Sequence, residues 1–303
     1  MRQDFERELT EMMGEGQVHK QEPMSRHTTF RIGGPAEYFV TPRMAQLPAL
    51  LALCASHQVP YTLIGNGSNV LVGDGGIPGL VIELLAKQEK PRVEGVRITA
   101  GAGVLLSRTA AAAAEAGLGG MEFAAGIPGT LGGAVVMNAG AYGGEMKDII
   151  EQVTVLTRQG EERRLPVAEL ELGYRHSCME ERGYIITEIT LHLEKKEQGM
   201  IRARMEELKA KRVEKQPLEY PSAGSTFKRP EGYYAGKLIM DAGLRGFQVG
   251  GAKVSEKHCG FVVNTGGATA ADVCQLMREV ADRVWRQFGV VLEPEVKRIG
   301  IFE

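Results

Sequence analysis

The sequence predicts an α+β protein made of two N-terminal lobes, residues 1–84 and 85–196, and a C-terminal α+β domain, residues 197–303. Three observations carry that expectation. Short apolar runs of strand length alternate with segments of helical period, the pattern of mixed structure rather than of helix or sheet alone. The 39 glycines gather at 65–79, 95–103, 117–144 and 243–267, between those runs, where loops bring backbone close to other atoms. From residue 197 the composition turns densely charged, which marks a connecting segment before a third region.

A polar N-terminal segment precedes residues 37–40 and 61–64, which read as strands flanking a helix at 44–56. Residues 80–84 and 96–100 are the next strand candidates, followed by an alanine-rich helix at 105–116 that Gly117 ends. The apolar run Val135-Val136-Met137 offers no polar side chain and is expected as a short buried strand. Strands near 149–157 and 184–194 close the second lobe. Residues 197–216 read as a connecting helix with one buried stripe, Ile201, Met205, Leu208 and Val213, stopped by Pro217. A Pro/Gly/Ser loop at 217–230 follows, and later an amphipathic helix at 270–288 with Val273, Leu276, Met277, Val280, Val284 and Phe288 on one face and Gly289 at C′.

Charge excludes some classes of partner. With 36 basic and 38 acidic residues the net charge is −2, so no global field favours nucleic acid or an anionic membrane, and an anionic ligand needs a local site. Cys54, Cys178, Cys259 and Cys274 never pair as C-x-x-C, and the six histidines show no H-E-x-x-H, so no metal is expected. His258 beside Cys259 suggests a nucleophile, but neighbours on a strand point apart and both read as packing or pocket-lining residues. Residues 1–15 are charged throughout, and no run reaches the roughly 20 apolar residues of a membrane span. A cytoplasmic location is therefore expected.

Gly65-Asn66-Gly67-Ser68-Asn69 directly follows the strand at 61–64, and small residues there leave backbone N–H groups uncovered for phosphate. The spacing is not G-x-G-x-x-G, since Val70 takes the third glycine position, and no Walker sequence occurs. On spacing alone a simple β-turn fits as well. A second cluster is denser: Gly126-Ile127-Pro128-Gly129-Thr130, Leu131-Gly132-Gly133-Ala134, and Asn138-Ala139-Gly140-Ala141-Tyr142-Gly143. Crowded sheet packing could account for its glycines. Two separated loops able to enclose one extended diphosphate are harder to explain that way, and amide dipoles would meet the charge.

These loops, together with Thr29-Phe30-Arg31-Ile32-Gly33-Gly34-Pro35-Ala36, resemble the two-lobed FAD cradle of the vanillyl-alcohol oxidase superfamily. Gly173-Tyr174-Arg175-His176-Ser177, the run from Pro221 to Lys228, Ala235-Gly236-Lys237-Leu238-Ile239 and Leu292-Glu293-Pro294-Glu295-Val296 extend the resemblance to the UDP-N-acetylenolpyruvoylglucosamine reductase family, from about residue 24 to 301. Ser177 is followed so soon by the strand near 184 that the shorter-insert branch is implied.

The resemblance implies two FAD-binding lobes and a substrate-binding C-terminal domain, non-covalent FAD, and NADPH as hydride donor. The implied reaction reduces the enolpyruvyl ether of UDP-N-acetylglucosamine enolpyruvate to the lactyl ether of UDP-N-acetylmuramate, a peptidoglycan precursor. Gly65, Asn66, Gly67, Ser68, Asn69, Gly126, Ile127, Pro128, Gly129, Asn138 and Gly140 match the cofactor positions. Arg175 matches the arginine that polarises the substrate carboxylate, a task suited to a permanently charged, bidentate guanidinium. Ser225 matches the proton donor, and Glu295 the acidic partner, which beside a carboxylate needs to be protonated or bonded to Arg175. Tyr174, Lys228 and Lys237 are the implied substrate contacts; Arg229 departs from the asparagine of some relatives. Read singly, Arg175 is equally a surface arginine, Ser225 a turn serine, and Glu295 and the lysines a solvated face. A flavin oxidase of the same cradle acting on an alcohol or sugar lactone, or a non-catalytic flavin or nucleotide-sugar binding module, remains the alternative.

Overall fold

The computed structural model describes residues 2–86 and 88–302, and the chain divides into two compact units. The first takes in the chain up to Val18, 40–66 and 82–212; the second takes in 19–39, 67–81 and 213 onward.

The polar N-terminal segment forms a helix, α1 (Arg2–Met13), because Phe5 and Leu9 recur at helical spacing and are buried. It packs on α2 (Leu47–Ser56), which buries Leu47, Leu50, Leu53 and Cys54. The centre of the first unit is a five-stranded antiparallel sheet in the order Glu162–Pro166, Ile150–Leu156, Ile185–His192, Arg97–Gly101, Arg92–Glu94. Val153, Val155, Ile189, Leu191 and Ile98 are fully buried in its core together with residues of α3 (Leu106–Glu115) and α4 (Leu131–Val136).

The strand expected at Val135-Val136-Met137 is not there: α4 covers the first two residues and Met137 is its C-cap. Thr130 caps the helix, its Oγ1 accepting from Gly133 N–H at 3.3 Å. Leu131 and Gly132 donate to the Val104 and Ala102 carbonyls at 2.7 and 2.8 Å. A Cβ on Gly132 would lie 2.8 Å from that of Ala102, so tertiary contact overrides the β preference of the valines. A short helix, α5 (Met179–Arg182), links Ser177 to the strand Ile185–His192. The connecting helix α6 (Gln198–Lys215) buries Ile201 and Leu208, but Val213 is 54% exposed, so the expected stripe does not include it.

The second unit holds a four-stranded antiparallel sheet in the order Ser222–Ser225, Phe261–Asn264, Ala252–Val254, Gln248–Val249. Its core also takes residues of α7 (Ala235–Asp241) and α8 (Ala270–Phe288). Five predicted stripe residues of α8, Val273, Leu276, Met277, Val280 and Val284, are buried, and Gly289 ends the helix in the left-handed region. Val70–Val72 pairs in parallel with Lys297–Ile299, and His19–Pro23 pairs antiparallel with the strand beginning at Pro35. His258 and Cys259 lie in the turn before Phe261 rather than on a strand. His258 Nδ1 accepts from Gly260 N–H at 3.1 Å. Burial lowers the imidazole pKa and raises that of the Cys259 thiol, so both are neutral packing groups.

The start of α8 is bound twice over. Thr269 and Asp272 form a capping box, while Asp74 accepts from Ala270 N–H at 2.8 Å and from Ala271 N–H at 2.9 Å. Two of the four N–H groups that a helix leaves unpaired therefore go to a carboxylate at the positive end of the dipole. Asp74→Ala is expected to cost about 1–2 kcal/mol, read as a lower urea midpoint at unchanged slope.

Candidate active site

Gly65 and Asn66 lie in the first unit and Gly67, Ser68 and Asn69 in the second. A Cβ on Gly65 would collide with Thr130, and Asn66 Nδ2 donates to the Pro128 carbonyl at 2.7 Å. The first residues of this loop are thus tied to the Gly126-Ile127-Pro128-Gly129 loop. In the second unit Gly67 has φ +58° and abuts the His27 carbonyl where a Cβ would stand, so only glycine fits. Asn69 Nδ2 donates to the Glu295 carbonyl at 3.3 Å.

Sequence reasoning missed Arg212. The built Cβ position of Gly126 lies 3.0 Å from Arg212 Nη1. No carboxylate among the described residues pairs with this half-buried guanidinium. Burial pulls its pKa down, with Tyr142 opposing. An unpaired cation out of full solvent is costly unless an anion joins it. Two amide loops and one waiting cation fit a diphosphate, so the first unit has the donor set that FAD requires. The signal was in the period: 201, 205, 208 and 212 share one helical face, and the apolar stripe of α6 continues into Arg212 rather than Val213.

Arg175 sits in a tight turn in which Gly173 and His176 exchange backbone hydrogen bonds at 3.1 and 3.3 Å. Its φ is +55°, and its Nη2 donates to the Gly140 carbonyl at 3.5 Å. The guanidinium carbon lies 5.1 Å from the centroid of Tyr174, a ring that is 49% exposed. Asn138, by contrast, is fully buried, with its amide bonded inside the protein.

Ser225 ends the strand Ser222–Ser225 just after Gly224, whose φ of +78° makes the bulge that turns the serine. Its hydroxyl has no hydrogen-bond partner among the described residues. Glu295 is held beside the same segment: its N–H donates to the Thr226 carbonyl at 2.9 Å, and Lys228 N–H donates to the Glu293 carbonyl at 2.8 Å. The second unit therefore brings Ser225, Glu295, Asn69 and Lys228 together. The Lys228 ammonium is 3.2 Å from Glu293, and Lys237 pairs with Asp241 at 2.8 Å on α7. Arg229 stacks on Tyr234 at 4.0 Å. No cluster of potential metal ligands occurs among the described residues.

Residues 216–299 match the family described as UDP-N-acetylenolpyruvoylglucosamine reductase, C-terminal domain, and residues 36–166 match an FAD binding domain. The chain is 56% identical to the UDP-N-acetylenolpyruvoylglucosamine reductase of Agathobacter rectalis over the full length of both. It is 54% identical to that of Lachnoclostridium phytofermentans, over 97% of this chain and 96% of the relative. The crystal structure of UDP-N-acetylenolpyruvylglucosamine reductase from Thermus caldophilus superposes with a TM-score of 0.80 at 38% identity, covering 93% of this chain and 99% of that one.

Proposed function

The chain belongs to the UDP-N-acetylenolpyruvoylglucosamine reductase family, and from that premise we propose how its own residues divide the work. It is an FAD-dependent oxidoreductase that takes reducing equivalents from NADPH and makes UDP-N-acetylmuramate for peptidoglycan synthesis. The observation that carries the site assignment is the tie from Asn66 to Pro128 with Arg212 beside Gly126, a ready place for a diphosphate.

When bound, FAD supplies the redox chemistry, moving reducing equivalents from NADPH to the enolpyruvyl double bond. Gly65, Asn66, Gly67, Ser68, Asn69, Gly126, Ile127, Pro128, Gly129, Gly140 and Arg212 would hold it. We assign residues 1–84 and 85–196 to cofactor and 197–303, apart from Arg212, to substrate; the FAD-domain match at 36–166 and the reductase C-terminal match at 216–299 support that order. The substrate in the site is UDP-N-acetylglucosamine enolpyruvate. Arg175 takes its carboxylate, Glu295 supports the same polarisation, and Ser225 delivers the proton to the α-carbon as charge builds there. Tyr174, Lys228 and Lys237 contact the sugar nucleotide, the lysines only after leaving Glu293 and Asp241. No described helix is long and apolar enough to cross a membrane.

Anaerobic spectra test this reading. NADPH should bleach the flavin, and the enolpyruvyl substrate should restore the colour. A flavin that stays bleached would end it, and peroxide formed from an alcohol without NADPH would favour an oxidase. The flavin should also leave the chain wholly on acid precipitation, because the Gly65 to Asn69 loop offers no histidine or cysteine for a linkage. Colour retained in the pellet would contradict this.

A further inference from the structure

Three contacts join the segment 136–140 to the turn 173–177. Ser177 Oγ donates to the Val136 carbonyl at 2.7 Å, Asn138 Nδ2 to the Gly173 carbonyl at 2.9 Å, and Arg175 Nη2 to the Gly140 carbonyl at 3.5 Å. The grip falls on alternate residues, with Asn138 in the middle. Its amide is also bonded elsewhere: Nδ2 reaches the Glu145 carboxylate at 3.1 Å and Oδ1 accepts from Lys147 N–H at 2.9 Å. Glu145 stays ionised there, its pKa lowered by Lys147, Asn138 and Arg175 against the cost of burial.

The clamped turn is conformationally costly. Arg175 has φ +55° in that turn, a left-handed value uncommon for arginine that needs support from its surroundings, whereas the φ +40° of Asn138 is one that asparagine tolerates. The resemblance places Asn138 among cofactor residues, yet its side chain is fully buried and saturated by these partners. A buried amide with every partner inside the protein fixes geometry rather than receiving a ligand.

We propose that Asn138 is a positioning residue for Arg175: its amide holds the Gly173 carbonyl and so fixes the turn that aims the guanidinium. The proposal rests on the role given to Arg175 above. Without Asn138 the turn keeps its hydrogen bonds to itself but loses the central tether, and Glu145 loses a donor. Arg175 then samples other directions while the cofactor loops remain.

The test uses the full-length holoprotein. Asn138→Ala should bind FAD, titrated into apoprotein, within about threefold of wild type, and NADPH should bleach it normally. Reoxidation by the enolpyruvyl substrate should fall at least about tenfold, as a misaimed catalytic contact would. In an Arg175→Ala background the same change should do almost nothing more, because the two residues act as one unit. Trypsin provides a readout that needs no substrate: cleavage after Arg175 should be about tenfold faster in Asn138→Ala, reporting local opening of the turn. A wild-type chain never reoxidised by this substrate would end the functional reading, while the trypsin comparison would still decide the tether. Loss of FAD affinity in Asn138→Ala would make it a cofactor ligand and overturn the proposal; so would effects that multiply with Arg175→Ala, or an unchanged nick rate. Should Asn138→Ala fail to fold, Ser177→Ala removes the neighbouring tether to Val136, and the same pattern is required of it.

Discussion

Ser225→Ala is expected to separate the two half-reactions. Bleaching of the flavin by NADPH needs no acid at this position, so its rate should stay near that of wild type. Saturation of the enolpyruvyl group does need one, and its rate should fall at least about a hundredfold, the lower end for a positioned general acid. The structure sharpens the reason. Gly224 turns the chain with φ +78°, and Ser225 Oγ has no partner among the described residues, so removing the hydroxyl breaks no internal bond and should leave folding intact. Glu295 is fixed one hydrogen bond away, through Thr226, and should keep its place. Ser225→Cys should retain more activity than alanine, since a thiol still carries a proton. Stopped-flow traces in which Ser225→Ala reoxidises at the normal rate would assign the proton to another group.

Much of the fold was legible where local pattern and tertiary context agree. The helix α8 shows this: its stripe from Val273 to Val284 is apolar at every expected position, Thr269 and Asp272 cap it, and Gly289 stops it. The misreadings lie where contacts distant in sequence decide. Val135-Val136 has the preference of a strand, but Gly132 lets Ala102 approach and Thr130 supplies a cap, so the segment coils. The helix α1 was hidden because only Phe5 and Leu9 mark its apolar face in an otherwise charged segment. Among site residues, the glycine loops were visible as composition, whereas the tie from Asn66 to Pro128 was not, since it joins residues 62 positions apart. The surroundings of Asn138 and of Arg212 were hidden for opposite reasons. The amide stands in a loop motif but turns inward, and the cation stands in a charged helix but belongs to its buried face.

Gly126→Asp should yield a folded protein that no longer holds FAD. Gly126 is not in the left-handed region, so its backbone accepts an L side chain. The three nearest atoms to a new Cβ all belong to the Arg212 side chain, with Nη1 at 3.0 Å and Cδ at 3.2 Å, and the end of a long arginine can shift by a few tenths of an ångström. The new carboxylate would then pair with that guanidinium. This relieves the unpaired cation and fills the place of the diphosphate with a fixed anion that repels it. Losing a hydrogen bond to a charged group already weakens binding roughly tenfold to a hundredfold. With repulsion added, FAD affinity should fall by more than about a hundredfold, and the protein should purify colourless. Its urea midpoint should match or exceed that of wild-type apoprotein, which separates loss of the site from loss of the fold. Arg212→Gln removes the cation without adding a charge and should show only the smaller loss. A Gly126→Asp protein that purifies with a full complement of flavin would take both residues out of the cofactor site.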